Sequence, residues 1–120
     1  MKKILIVDDS NPSRISLSFS LSQRGYKVIT AENGNTGFAR TIEHPDLALI
    51  ITDINMPQMN GFEMIHRIRR EPEFKNIPII ALSSDEENGN EAINIGATAF
   101  IIKSSKTSEE IKRFLDLYLK

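Results

Sequence analysis

The sequence predicts an α/β fold built on a parallel, doubly wound sheet. Five short apolar runs alternate with helix-like stretches along the chain. Apolar runs of this length are typical of strands that are buried on both faces of a parallel sheet. Four of the runs end at an acidic, hydroxyl or ammonium side chain. Because such strands need crossover connections, we expect helices on both faces of the sheet.

Local signals indicate where most of these elements begin and end. We predict strands at 3–8, 27–32, 47–52, 78–83 and 99–102, and helices at 12–24, 35–43, 61–70, 90–95 and 108–119. Asn11 is the candidate cap of the first helix, with Pro12 at its first position and Gly25 at its end. Pro57 and Gly61 break the chain after the third strand.

Two segments depart from these simple patterns. Residues 15–22 alternate between apolar side chains and serine, which locally favours a strand. We predict a helix there, because Pro12 and Gly25 enclose one helix length and the topology needs a crossover. Residues 85–90 are rich in turn formers, so the predicted fourth helix is short.

Composition narrows the classes of protein to consider. The chain has 120 residues, 40% of them apolar and 26% charged, which is ordinary for one globular domain over residues 1–120. A net charge of −1 gives no reason to expect direct binding of nucleic acid or of a membrane surface. The absence of cysteine excludes disulfides and thiolate chemistry. We expect a cytoplasmic location.

The side chains at the strand ends suggest a chemistry. In an open α/β sheet, ligands bind beyond the carboxyl ends of the strands, so the acid pair Asp8–Asp9, Asp53, Ser83 and Lys103 should meet there. Carboxylates suit a hard divalent cation, and an aspartate can accept a phosphoryl group. Each residue alone has a simpler interpretation, as a turn or capping acid, a strand-end hydroxyl or a solvated lysine. Their joint placement favours the functional interpretation.

On these residues the chain resembles the response-regulator receiver family, and it closely resembles the stand-alone chemotaxis regulators of that family. The matching motifs are Asp8-Asp9, Asp53-Ile-Asn-Met-Pro57 with Gly61, Pro78-Ile-Ile-Ala-Leu-Ser83, Gly96-Ala97 and Lys103. The resemblance implies a flavodoxin-like (βα)5 fold with strand order 2-1-3-4-5. It also implies a single receiver domain over 1–120, with no output domain in this chain.

The resemblance further implies a role for each acid. Asp53 would accept a phosphoryl group from a histidine kinase or a histidine phosphotransfer protein. Mg²⁺ or Mn²⁺ would be bound by Asp9, Asp53 and the backbone carbonyl of Asn55, with Asp8 acting largely through water. The chain would be no enzyme beyond its own phosphotransfer and autodephosphorylation. It would be a monomer or a weak dimer.

The remaining site residues would transmit and time the signal. Ser83 would move toward the phosphoryl group, Lys103 would contact it, and Phe100 occupies the family's aromatic switch position. An unknown target protein would bind the face of the fourth helix, fifth strand and fifth helix. Asn55 and Asp85 flank the path of the attacking water, so we expect them to set the lifetime of the phosphoryl group.

The sequence departs from the family pattern after Lys103. The family has a cis-bonded proline there, whereas this chain has Ser104. A non-proline cis bond costs about 3–4 kcal/mol, so we predict that the Lys103–Ser104 bond is trans or, if cis, visibly strained. Elsewhere, we interpret Arg67, Arg69 and Arg70 as a solvated helix end.

The first helix suggests a docking surface. If Leu17 and Leu21 face the sheet, as the resemblance suggests, Ile15 and Phe19 lie on the outer side of the helix. The family docks phosphodonor helices against its first helix. We therefore expect Ile15 and Phe19 to form a phosphodonor docking patch or a self-association face.

Two alternative functions remain. A phosphatase of the haloacid dehalogenase type also uses a strand-end aspartate and Mg²⁺, but it has a second aspartate where this chain has Asn55. A pseudo-receiver would be a pure binding module, although such domains usually lack one of the acids or the lysine, and this chain has them all.

Overall fold

The fold was analysed in a computed structural model, which describes residues 2–119. Five parallel strands form one sheet in the order β2-β1-β3-β4-β5, as predicted. The elements are β1 Lys3–Val7, α1 Asn11–Gln23, β2 Lys27–Ala31, α2 Gly34–Glu43, β3 Leu47–Asp53, α3 Gly61–Arg69, a short 3₁₀ helix Pro72–Phe74, β4 Ile79–Ser83, α4 Asn88–Ile95, β5 Ala99–Ile102 and α5 Thr107–Tyr118. None of the helices within 2–119 is long and apolar enough to cross a membrane.

The core has two apolar layers, one on each face of the sheet. Successive strand residues point to opposite faces, so Leu5 belongs to one layer and Ile6 to the other. The first layer includes Met64 from α3 and Ala92 from α4, and the second includes Leu115 from α5. Helices therefore cover both faces, as predicted.

The alternating segment 15–22 is helical, as predicted. Leu17 and Leu21 are buried, whereas Ile15 and Phe19 are 67% and 66% exposed. The helix begins one residue earlier than predicted, and its cap is Ser10 instead of Asn11. Ser10 has an extended backbone, and its hydroxyl accepts a hydrogen bond from the third helical amide, which is the geometry of an N-cap.

The last two helices also begin earlier than predicted. α4 begins at Asn88, because hydrogen bonds from the amides of Asn88 and Gly89 to the carbonyls of Asp85 and Glu86 lead directly into the helix. α5 begins at Thr107, whose hydroxyl accepts a hydrogen bond from the Ser104 amide at 2.8 Å. All peptide bonds within 2–119 are trans, which includes the Lys103–Ser104 bond as predicted.

The prediction that Arg69 belongs to a solvated helix end is wrong. Its Nε donates to the carbonyl of Gly96 at 2.9 Å, and its Nη1 donates to the carbonyl of Phe74 at 2.8 Å. Burial lowers the pKa of the Arg69 guanidinium from its ordinary value. Gly96 has a φ of +126°, and a Cβ there would lie 2.8 Å from Arg69 Cγ. Arg69 thus connects the end of α3 to the turn that follows α4.

We predict that Arg69→Met lowers the free energy of unfolding by about 1–3 kcal/mol, because two carbonyls lose a charged donor while the side-chain length is kept. Chemical denaturation measures this quantity. Arg70→Met is the matched control, since Arg70 is exposed at the same helix end, and it should change the free energy by less than about 0.5 kcal/mol. Equal losses in the two variants would contradict the structural role of Arg69.

Candidate functional site

The order of the strands brings the predicted site residues together. Asp8 follows β1, Asp53 ends β3, Ser83 ends β4 and Lys103 follows β5. These four strands are consecutive neighbours in the sheet and run parallel, so their carboxyl ends share one edge. Lys103 is fixed to the neighbouring strand by its backbone amide, which donates to the carbonyl of Ser83 at 2.9 Å.

Three carboxylates lie at this edge. One oxygen from each of Asp8, Asp9 and Asp53 lies within 4.8 Å of the others. Asp8 and Asp53 are buried, and Asp9 is exposed. Asp8 Oδ1 accepts a hydrogen bond from the amide of Ser10 at 2.9 Å, and Asp53 Oδ1 accepts one from the amide of Ile54 at 3.0 Å. The structure thus brings all three predicted acids together.

Lys103 provides a positive charge inside the cluster. Its Nζ lies 2.9 Å from Asp53 Oδ2 and 3.5 Å from Asp8 Oδ2. Burial alone would lower the pKa of Lys103, but the hydrogen bond and the charges of Asp53 and Asp8 raise it overall. Burial and the nearby charges of Asp8 and Asp9 raise the pKa of Asp53, although Lys103 opposes that shift. The site therefore keeps an excess of negative charge.

This donor set fits a hard divalent cation. Mg²⁺ and Mn²⁺ prefer carboxylate and carbonyl oxygens, and a cation among the three acids would relieve their mutual repulsion. Asp8, Asp9 and Asp53 are the side chains that would hold it. The carbonyl of Asn55 as a further ligand stays a prediction.

The loop after Asp53 is packed tightly against the site. Gly61 begins α3, and a Cβ on it would lie 2.4 Å from the carbonyl oxygen of Asp53. Its amide donates to the carbonyl of Ile54 at 2.9 Å. Met56 and Met59 are buried in the same loop. Gly61 is therefore needed because the backbone of the helix approaches the Asp53 strand end so closely.

Ser83 is fully buried and accepts several hydrogen bonds. The donors to its Oγ are the Asn55 side chain at 3.3 Å, the Asp85 amide at 3.0 Å and the Asn88 side chain at 2.9 Å. Within the described chain its Oγ only accepts hydrogen bonds, and its O–H donates to no protein acceptor. The contact of Asn88 was missed by sequence analysis, because an asparagine near a helix start indicates only a cap or a turn.

Asn55, Asp85 and Phe100 lie around this core of the site. Asn55 and Asp85 are exposed, and their control of the phosphoryl lifetime stays a prediction. Phe100 is half-buried, and a Cβ on Gly89 would lie 3.1 Å from its ring. An open cleft of about 440 Å³ between the start of α1 and the segment that joins β5 to α5 gives access to Asp8 and Lys103.

We predict that Asp53→Asn stabilises the protein at pH 7 in the presence of a chelator. Because the pKa of Asp53 is raised in the folded state, its charged form opposes folding, and a neutral amide of the same shape removes that cost. The advantage over the wild type should disappear as the pH falls through the raised pKa and the wild-type carboxylate becomes neutral. Thermal unfolding across pH measures both effects.

The control for this prediction is Asp46→Asn. A hydrogen bond from Lys3 lowers the pKa of Asp46, so this variant should lose stability or leave it unchanged at pH 7. An Asp53→Asn variant that unfolds more easily than the wild type in chelator would show that the ion pair with Lys103 outweighs burial and repulsion.

Comparison with known proteins assigns the chain to a family. The model of the response regulator receiver domain matches residues 4–115. Chemotaxis protein CheY1 of Helicobacter pylori is 33% identical, and the alignment covers 98% of this chain and 96% of that protein. No feature of these matches indicates a phosphatase of the haloacid dehalogenase type.

Solved structures agree with this assignment. Chemotaxis response regulator CheY4 of Vibrio cholerae superposes with a TM-score of 0.90 at 34% identity, covering 99% of each chain. Response regulator TrrA of Thermotoga maritima, solved in complex with Mg(2+)-BeF, gives a TM-score of 0.86 at 31% identity, covering 99% of this chain and 100% of that one. Because both the family model and the solved structures match nearly the whole chain, the chain belongs to the response regulator receiver family.

Proposed function

We propose that this protein is a phosphorylation-dependent signalling switch of two-component systems, and that Asp53 is its phosphoacceptor. The observation that carries the proposal is the position of Asp53, with its Oδ2 2.9 Å from Lys103 Nζ and its carboxylate beside Asp8 and Asp9. The donor would be a phosphohistidine on a histidine kinase or a phosphotransfer protein. The similarity to chemotaxis regulators supports a regulator that acts through a partner protein.

The proposed step is a simple phosphoryl transfer. An oxygen of the Asp53 carboxylate attacks phosphorus, the P–N bond of the phosphohistidine breaks, and its electron pair returns to the imidazole. The product is an acyl phosphate on Asp53. Lys103 contacts the carboxylate and the transferred group, and Ser83 has a free O–H to donate to a phosphoryl oxygen. Mg²⁺ held by Asp8, Asp9, Asp53 and the Asn55 carbonyl would supply positive charge to the phosphoryl oxygens.

The same residues argue against the enzymatic alternative. A haloacid dehalogenase phosphatase needs a general acid two residues after its nucleophile, whereas Asn55 has an amide at this position and directs it at Ser83. We therefore propose that residues 1–120 form a single receiver domain that catalyses only its own phosphotransfer and dephosphorylation. The remaining alternative is a pseudo-receiver, which the following experiment separates from a functional switch.

We predict that incubation with acetyl phosphate and Mg²⁺ adds one phosphoryl group to the intact protein, as detected by mass spectrometry. The gain should be absent in Asp53→Ala and in the presence of a chelator, because both remove part of the site. Asp46→Ala, which changes an exposed carboxylate far from the cluster, should be phosphorylated normally. A phosphoryl group that persists in Asp53→Ala would refute the assignment, and a wild type that is never modified would indicate a pseudo-receiver.

We predict that Asn55→Lys and Asp85→Lys each lengthen the lifetime of the phosphoryl group several-fold. Both residues are exposed and contact Ser83, so a long basic side chain there would screen the acyl phosphate from water. Loss of the phosphoryl group after removal of the donor measures the rate. Glu86→Lys makes the same charge change as Asp85→Lys, one residue further along the chain, and should leave the rate unchanged. If all three variants lose the phosphoryl group at the wild-type rate, Asn55 and Asp85 do not control its lifetime.

We predict that the double variant Ile15→Ser, Phe19→Ser slows phosphotransfer from a protein donor but not from acetyl phosphate. The two side chains are 67% and 66% exposed and one helical turn apart, so they form a small apolar patch beside the access cleft. Being exposed, they should contribute less than about 0.5 kcal/mol to stability. Stopped-flow transfer from a phosphorylated kinase domain measures the effect.

Leu117→Ser is the matched control for the docking patch. Leu117 is also 67% exposed, but it lies near the end of α5, so its loss should not affect transfer. Normal transfer to the double variant would remove these residues from the donor interface. Slower transfer accompanied by self-association of the wild type, abolished in the variant, would indicate a dimer face instead.

A further inference from the structure

The hydroxyl of Ser83 is held by the segment that leads into α4. A hydroxyl oxygen can accept two hydrogen bonds, and the two shortest here come from the Asp85 amide at 3.0 Å and the Asn88 side chain at 2.9 Å. The bond from Asn55 is longer, at 3.3 Å. Ser83 is fully buried, so water does not compete for these positions. Asn88 is the first residue of α4, and its side chain reaches back to the sheet.

The two ends of α4 are held in different ways. At the C-terminal end of α4, the carbonyl of Gly96 accepts a hydrogen bond from the partly buried guanidinium of Arg69 on α3. At its start, Glu87 makes no side-chain capping bond. Among residues 2–119, the bond from Asn88 to Ser83 is the one side-chain hydrogen bond that joins the first turn of α4 to the sheet. The Asn88 side chain thus joins the first turn of α4 to Ser83, whereas Arg69 holds the other end of the helix.

The next residue of the same turn contacts Phe100. A Cβ on Gly89 would lie 3.1 Å from Phe100 Cδ2 and 3.3 Å from Cε2, so the ring lies directly against this glycine. Asn88 and Gly89 thus touch the two predicted switch residues, Ser83 and Phe100. A displacement of the first turn of α4 changes the surroundings of both.

We propose that Asn88 is a positioning residue that stabilises the unphosphorylated state. Its Nδ2 donates to Ser83 Oγ, which holds that oxygen near α4 and keeps the first turn of α4 on the sheet. This inference rests on the proposed function: when Ser83 moves to bond a phosphoryl group on Asp53, its Oγ leaves Asn88 and the start of α4 is released. By thermodynamic linkage, the Asn88–Ser83 bond lowers the affinity of the site for the phosphoryl group.

The test is an NMR titration with beryllofluoride and Mg²⁺, a non-covalent probe for the phosphoryl group. A net hydrogen bond of ordinary strength corresponds to roughly two- to tenfold tighter binding by Asn88→Ala than by the wild type. In the absence of the probe, the amides of Gly89 and Asn90 should exchange faster in this variant. Alanine suits a helical position and Asn88 is partly exposed, so the variant should fold.

The matched control is Asn90→Ala. Asn90 is the same residue type in the same helix, but it is exposed and does not contact Ser83, so its loss should leave the affinity unchanged. A double-mutant cycle adds a second check: in a Ser83→Ala background, Asn88→Ala should no longer change the affinity, because its partner is gone.

The outcomes separate this inference from the proposed function. Equal or weaker binding by Asn88→Ala, with normal binding by the wild type and Asn90→Ala, would overturn the role of Asn88 alone. A similar gain in beryllofluoride affinity in Asn88→Ala and Asn90→Ala would mean that any loosening of α4 raises the affinity, and it would also overturn the role of Asn88. A wild type that does not bind beryllofluoride would overturn the proposed function and this inference with it.

Discussion

The mutual repulsion of three carboxylates at one edge of the sheet is the constraint on which the rest of the site depends. The strand order forces Asp8 and Asp53 into buried neighbouring positions, and Asp9 lies beside them. Lys103 is the ammonium within bonding distance of both buried acids, and it offsets only part of their charge. A cluster of this kind is poorly stabilised on its own, and an added cation would relieve its repulsion. The proposed function uses the same repulsion, because a cation bound among the three acids would relieve it.

Ser83 connects this electrostatic centre to the outer surface. Its backbone carbonyl accepts a hydrogen bond from the amide of Lys103, and its hydroxyl accepts one from Asn88 at the start of α4. Events at the carboxylates can thus reach a helix through one buried residue. Because Arg69 fixes the other end of that helix to α3, the displacement that we propose would be confined to its first turn and to Phe100 beside it. Under the proposed function, a partner protein would bind at this end of the molecule.

The sequence predicted the fold and the membership of the site well, because both follow from patterns along the chain. Buried strands appear as apolar runs, and parallel order places the residues that end them together. The contacts of Arg69 and Asn88 were not predictable, since each depends on which distant groups the packing leaves without a partner. Arg69 bonds the carbonyls of Phe74 and Gly96, and neither carbonyl can be identified from spacing. The cap of α1 was assigned to Asn11 instead of Ser10, because two adjacent residues both suit a cap.

Calorimetric titration with Mg²⁺ tests the central claim most directly, since it asks whether the carboxylate cluster binds a divalent cation. The account predicts one Mg²⁺ per chain, a higher melting temperature with Mg²⁺ than with a chelator, and much weaker binding by Asp9→Asn. Asp9 is exposed, so that variant should remain folded, and Asp46→Asn should bind like the wild type. If the wild type does not bind Mg²⁺, or if Asp9→Asn binds as tightly as the wild type, the cluster is not the cation site and the account is wrong.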